Sequence, residues 1–584
     1  MSITGFEEKI YHKLQLLYGT EEAQEFYCKL IEVINRYKNK QQQDKIKRFH
    51  KELWLDERDV FLITYGDQVK EQGVPPLKTL EHFLNKYFKG VISFVHILPF
   101  YPYTSDDGFS VSDYAKVNPE FGEWEHIEEI SKQFNLMFDA VINHISSKSE
   151  WFCRYLEGDK DFDNFFIEMD KNTDVSKVTR PRTLPLLTKF SKNGEEKYLW
   201  TTFSEDQIDL NYKNGNVLIE IIDILLFYAS KGAKVIRLDA IGYLWKEIGT
   251  SCIHLPQTHT VIQLFRDIFD IVYPEVILIT ETNVPHKDNI TYFGNGYNEA
   301  QMVYQFSLAP LVLNAFHTGS AIHLIEWASS LEPLTERTTF FNFLASHDGI
   351  GVVPAKGILT DDEIDDLTKK VTQNGGYVSY KTNSDETQSP YELNITYFDA
   401  LSDHDDAEDV KIKRFITAHS ILLSMVGVPA VYIHSIMGSQ NYYEGVKETG
   451  RYRSINRQKF NRKDIEQELM DSQSIRFKVY TQLSELIKKR KQQKAFHPNG
   501  KQQVLNIDQS VFSLLRTSPD GKESIISLNN VSGSQKDVRI NINDYLLTDV
   551  NEVVDVISGT SFKLDAQKGI NILLEPYQVM WLKV

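Results

Sequence analysis

Cysteine is scarce in this chain: three in 584 residues, Cys28, Cys153 and Cys252, with no CxxC pair. So small and scattered a set builds neither a disulfide framework nor a zinc site, and it fits a reducing compartment. Long apolar runs are missing too; none approaches the roughly 20 residues a membrane helix needs. The opening MSITGFEEKIYHKLQ has no basic stretch followed by an apolar core. It therefore does not read as a signal peptide, and a cytoplasmic location is expected. Positive charge is in deficit, with 64 Lys and Arg against 81 Asp and Glu, a formal net charge of −17. That balance argues against general nucleic-acid binding. It leaves room for a small anionic substrate, because local arginines can override the global sign.

The remaining composition, 41% hydrophobic and 25% charged, is that of a soluble globular protein. Its length allows a large core and more than one domain. Residues 1–58 read as a helical accessory segment. Leu14, Leu17, Phe26, Leu30, Ile34 and Tyr37 fall at helical spacing, and KNKQQQDKIKR (38–48) reads as a solvated face.

From about residue 59, short apolar runs alternate with longer amphipathic stretches. They are DVFLITYGD (59–67), GVISFVHILPF (90–100), NLMFDAVINH (135–144), AKVIRLDA (233–240), VILITETN (276–283), MVYQFSL (302–308), FFNFLASHDG (340–349) and PAVYIHSIMG (429–438). Near-continuous apolar text is what buried parallel strands require. Eight of them with intervening helices predict an α/β fold, a (β/α)8 barrel over 59–497. Insertions at 145–204 and 350–405 follow strand C-termini, over the expected catalytic mouth. VFSLLRT (511–517), ESIISLNNV (523–531), KDVRINI (536–542) and EPYQVMWLKV (575–584), with the turn SPDGK, predict a β-sandwich over 498–584. The basic KKRKQQK (488–494) before it reads as a solvated helix end.

Three runs end in a carboxylate: Asp239 in VIRLDA, Glu281 in VILITET and Asp348 in FLASHDG. Burying a carboxylate costs free energy, so three at strand exits point to chemistry rather than packing. A fourth polar set, Asp139, Asn143 and His144, ends the DAVINH run.

Taken in order, DAVINH, RLDA, TET and SHD resemble the four signature regions of the α-amylase superfamily, glycoside hydrolase family thirteen. HILPFYPYTSDDGFSVSDY (96–114), RLDAIGYLWKEIGTSCIHLPQTH (237–259), SHDGIGV (346–352) and GRYRSINR (450–457) resemble its sucrose-phosphorylase subfamily. Within that subfamily, ETNVPH (281–286), FGNGYNEAQMVYQFSL (293–308) and PYELNITYFDAL (390–401) look most like glucosylglycerate phosphorylases.

The resemblance implies roles. Asp239 would be the nucleophile that forms a β-glucosyl ester, Glu281 the general acid/base and Asp348 the stabiliser of the cationic transition state. Retaining chemistry needs the first two about 5 Å apart across the sugar. Arg237, on the same strand face as Asp239, can hold the nucleophile ionised. His144 and His347 would donate to glucose hydroxyls; Asp106 and Arg457 would grip the far side of the ring, above Phe109 as an apolar platform. Tyr243, Asn283 and Gln207 join the substrate-binding set.

For phosphate, TRPRTLPLL (179–187) matches a subfamily RPRxxLP segment with one residue missing; Arg182 is the first candidate and Arg180 the second. A guanidinium offers a planar fork to phosphate or carboxylate. Tyr391 matches a phosphate-contacting tyrosine. Two departures touch the acceptor side. Glu281-Thr282-Asn283 stands for Glu-x-His, and Tyr391-Glu392 for Tyr-Gln.

The expected partners are thus a small α-glucoside and inorganic phosphate. The leading reaction is 2-O-α-glucosyl-D-glycerate plus phosphate to α-glucose 1-phosphate plus D-glycerate. The alternatives are sucrose, sucrose 6′-phosphate or glucosylglycerol phosphorolysis, or an α-glucosidase or transglucosidase. Lys246 and His254 come into question for the glycerate carboxylate, against a packing or capping role for each. Without a DxDxDG loop, no metal or cofactor is expected.

Overall fold

A computed structural model describes residues 3–43, 55–332, 334–383, 387–545 and 550–584. Eight parallel strands close into a barrel: β1 (Phe61–Thr64), β2 (Phe94–Ile97), β3 (Asn135–Ala140), β4 (Ala233–Leu238), β5 (Ile277–Thr280), β6 (Met302–Tyr304), β7 (Thr339–Asn342) and β8 (Val428–Tyr432). Each falls on one of the eight expected apolar runs, β7 and β8 beginning one residue before theirs. The strands are almost wholly buried because helices cover them outside and side chains fill them inside.

The register matters for the site. Arg237 on β4 lies beside Asp139 on β3 and Ile279 on β5. Asp239 and Glu281 therefore leave neighbouring strands at the same level, each one residue past the last paired position.

Two of the strands stop well short of the site residues their runs carry. β7 stops at Asn342, whose side-chain amide donates to the Val426 carbonyl at 2.9 Å. Asp348 thus lies six residues beyond its strand, on a turn through buried Phe343 and Leu344. The third run stops at Ala140, and His144 instead opens a short ribbon, His144–Ser146, antiparallel to Gln207–Asp209.

Within the first long insertion, strands Glu168–Met169, Leu187–Lys192 and Glu195–Trp200 make one sheet. In the second, helix Asp361–Gln373 accompanies a sheet of Ile350–Gly351, Gln388–Asn394 and Tyr377–Thr382. Gly351 pairs with Glu392, which ties the second insertion to the turn carrying Asp348.

The N-terminal helix, Ile3–Gln43, breaks at Gly19, whose φ of 78° suits glycine. It packs on helices Gly215–Ser230 and Pro256–Val272 of the barrel's outer ring. The expected positions Leu14, Phe26, Leu30, Ile34 and Tyr37 are buried and Leu17 is half-buried. The Phe26 ring lies flat against Gly215, where an added Cβ would approach it to 2.5 Å. Of the solvated face expected over 38–48, residues 44–48 lie outside the described residues.

At the C-terminus a six-stranded sheet and the ribbon Lys536–Asn541/Gly569–Leu574 enclose Leu505, Leu528, Ile540, Ile572 and Leu582. The large sheet's other face meets the barrel, with the Trp581 indole donating to Ser420 at 3.1 Å. The three cysteines are free thiols, and no helix among the described residues is long and apolar enough to cross a membrane.

Candidate active site

The barrel floor is held by a buried charge chain. His96 on β2 lies 2.6 Å from the Asp139 carboxylate, and Arg237 pairs with Asp139 on its other side. The same Arg237 Nη1 donates to Asp239 Oδ1 at 2.7 Å, and Nη2 lies 3.8 Å from Glu281 Oε2. One guanidinium therefore reaches both carboxylates, which puts them on the same side of the barrel mouth. Ala240, in a left-handed backbone conformation (φ 49°), turns its N–H to donate to Glu281 Oε2 at 3.1 Å. That conformation costs about 1 kcal/mol in an L-residue, and here it aims an amide at Glu281.

Burial and mutual repulsion separate the protonation of the three carboxylates. Burial lifts Glu281 to about 7, with the charge of Asp239 adding to it against Arg237. Burial raises Asp239 to about 6, with Arg237 opposing. Asp348 is driven the other way: its burial cost is overcome by Arg453, then by His347, Arg237 and Arg457. At neutral pH this gives one carboxyl able to hold a proton and two available as anions, the division of labour that retaining glycosyl transfer requires.

The pocket above them has about 750 Å³ of empty space, part of it open to solvent. Its walls carry Asp106, Phe109, His144, Gln207, Tyr243, Asn283 and His347 from the predicted set, with all three carboxylates. His347 and Phe109 stack with ring centroids 4.7 Å apart and planes within 3°. Burial lowers His347 to about 3 and lowers His144 too. Both imidazoles are neutral, so each presents one donor and one acceptor rather than a competing cation. Gln207 and His144 converge on the Phe109 carbonyl, each at 2.9 Å, which fixes that wall.

Arg457 stands behind the wall and not in it. Its Nε donates to the His347 carbonyl at 2.8 Å and its Nη1 to Asp107 at 2.6 Å, with Asp106 at 3.8 Å. The arginine of the GRYRSINR string that does line the pocket is Arg453. It lies 2.5 Å from Asp348 Oδ1, donates from Nε to Glu392 Oε2 at 3.0 Å, and forms a second contact to Glu392 through Nη2. Sequence reasoning missed it: three arginines in one loop look alike until folding assigns their partners.

On the acceptor side, Arg182 lines the pocket with its guanidinium 5.9 Å from the Tyr391 ring centroid. Arg180 does not reach the pocket; its Nη2 donates to the Leu184 carbonyl within the loop at 2.5 Å. The Asn283 amide rests against Gly351, where a Cβ would come within 2.6 Å of its Oδ1. Lys246 is buried below, paired with Asp209 at 2.7 Å and donating to Asn143 at 2.8 Å. His254 is 2.6 Å from the Tyr292 hydroxyl. Neither Lys246 nor His254 lines the pocket.

Comparison with known proteins places this geometry in a family. The family described as "Alpha amylase, catalytic domain" matches residues 85–355, a span that holds all three carboxylates. A glucosylglycerate phosphorylase of Spirochaeta thermophila is 45% identical over 97% of this chain and 97% of its own length. One from Escherichia coli is 48% identical over 92% of this chain and 94% of its own. The crystal structure of a sucrose 6F-phosphate phosphorylase from Thermoanaerobacter thermosaccharolyticum superposes with a TM-score of 0.72 at 26% identity, covering 82% of this chain and 96% of that one. With such relatives along nearly its whole length, and three carboxylates on one barrel mouth, the chain belongs to the α-amylase superfamily, glycoside hydrolase family thirteen, in its sucrose-phosphorylase-like branch.

Proposed function

We propose that the protein is a retaining α-glucoside phosphorylase that converts 2-O-α-glucosyl-D-glycerate and phosphate into α-glucose 1-phosphate and D-glycerate. In the first half, the Asp239 carboxylate attacks C1 of the glucosyl group as the C1–O2 bond to glycerate breaks. Glu281, held protonated near neutrality by its burial, gives its proton to the departing oxygen. Arg237 fixes the nucleophile through Oδ1 and leaves Oδ2 for C1. The Asp348 anion, aimed by Arg453, stabilises the positive charge that builds on the ring. In the second half, a phosphate oxygen attacks C1 and Asp239 leaves as carboxylate. Glu281 takes the phosphate proton. Two inversions give net retention.

The observation that carries phosphate over water as acceptor is Arg182 beside Tyr391, lining the same pocket as Asp239 and Glu281 and without an ion pair of its own among the described residues. The same reading expects a cytoplasmic enzyme. The test is glucose 1-phosphate formation from glucosylglycerate and phosphate. Glucose release indifferent to phosphate would refute it in favour of a hydrolase. Reverse reactions from glucose 1-phosphate with glycerate, fructose, fructose 6-phosphate and glycerol test the acceptor, and glycerate must lead.

A further inference from the structure

A glycerate carboxylate entering this pocket meets Asp106, Asp239, Glu281, Asp348 and Glu392. So acidic a lining repels an anion unless a cation answers it. The available cations can be counted. Arg237 is engaged by Asp139 and Asp239. Arg457 is held by Asp107 and the His347 carbonyl. Arg453 lines the pocket but is already shared between Asp348 and Glu392. Lys246 is sequestered with Asp209, outside the lining. Among the described lining residues, Arg182 alone is a cation with no carboxylate partner.

We propose that Arg182 serves both acceptors in turn, receiving the glycerate carboxylate in one half-reaction and the phosphate oxyanion in the other. This rests on the glucosylglycerate reading and adds the site that recognises the acid. The two anions share the needed shape. Each carries anionic oxygens two or three bonds from the oxygen that bonds to C1, so one guanidinium in the wall of this pocket can hold either while that oxygen faces Glu281. A carboxylate fills the guanidinium fork as a phosphate face does. Occupancy by one excludes the other, as double displacement requires: glycerate must leave before phosphate takes its place. Glycerol presents the same reacting hydroxyl without the charge, so the acid's advantage over glycerol depends on Arg182. In transfer to glycerate, the O2–H proton passes to Glu281, the C1–O2 bond forms, and the C1–ester bond to Asp239 breaks.

The experiment charges the enzyme with α-glucosyl fluoride and offers equal D-glycerate and glycerol without phosphate, reading the product ratio. The ratio is internal to each sample, so it does not depend on how much of a variant is active. Wild type should favour glycerate at least about tenfold. Arg182→Ala should reduce that preference about tenfold or more, and Arg182→Lys should keep part of it. An unchanged ratio in Arg182→Ala overturns the proposal while leaving the glucosylglycerate reading intact. No preference in wild type sinks the glucosylglycerate reading itself, and this proposal with it. Should Arg182→Ala transfer to neither acceptor, Arg182→Gln is set against Arg182→Lys. Lysine must keep the preference and glutamine lose it; equal ratios overturn the proposal.

Discussion

The two reacting carboxylates predict a bell-shaped pH profile whose alkaline side depends on the leaving group. Asp239 must be ionised to attack and Glu281 protonated to assist departure. Their environments put these conditions at about 6 and about 7. Glu281 is raised above its ordinary value, so the working proton is present below about 7 and lost above it. Asp239, also raised, loses nucleophilic charge below about 6. Because the two interact through Arg237 and through space, the values belong to the pair. The doubly correct state then peaks near pH ~6.5 at roughly 60% of molecules and falls to roughly a tenth at pH ~5 and pH ~8. The assay is kcat/KM for glucosylglycerate at saturating phosphate, which reports the first half-reaction, beside kcat/KM for α-glucosyl fluoride. Fluoride departs without a proton, so its profile should keep the acid limb and lose the alkaline one. Glu281→Gln should cost the glycoside ~10²–10⁴-fold and the fluoride far less. An alkaline limb shared equally by both substrates would refute the assignment of acid work to Glu281.

Asp239→Ala removes the group proposed to form the ester, so glucosyl transfer should fall by ~10⁴-fold or more. Intact-mass spectrometry with α-glucosyl fluoride should show a glucosyl adduct in Glu281→Gln and none in Asp239→Ala. Glu392→Gln leaves the shape of the site but removes one of two carboxylates on half-buried Arg453. It should lower kcat with α-glucosyl fluoride about tenfold by loosening Asp348 and cost about 1–3 kcal/mol of stability, seen as a lower apparent melting temperature. Phe26→Ala empties the contact against Gly215. It should cost the N-terminal helix about 3 kcal/mol of docking, speed its proteolysis and leave kcat/KM within about twofold, since no residue of that helix lines the pocket.

The barrel was legible because its eight strands are buried on both faces, which leaves near-continuous apolar text. Asp239 and Glu281 were legible for the same reason: a carboxylate ending such text has no packing motive. Asp348 was found, but its place was not. Five residues of turn separate it from β7, and an apolar turn reads like a strand. Partners were harder still. Whether an arginine in GRYRSINR answers a substrate or another side chain depends on where chain segments meet. Arg453 is neutralised by Glu392, 61 residues away, and Arg457 by Asp107, 350 residues away. No local pattern encodes such pairs, because any carboxylate delivered there by the fold would serve. Yet they decide the chemistry at the mouth. Lys246 and His254 stood as candidate cations until folding gave one to Asp209 and the other to Tyr292. Arg182 keeps its charge unspent: among the described residues it stands beside the Tyr391 ring and forms no ion pair. The sequence displays the charges of such a pocket, but the fold determines which of them are left to act on a ligand.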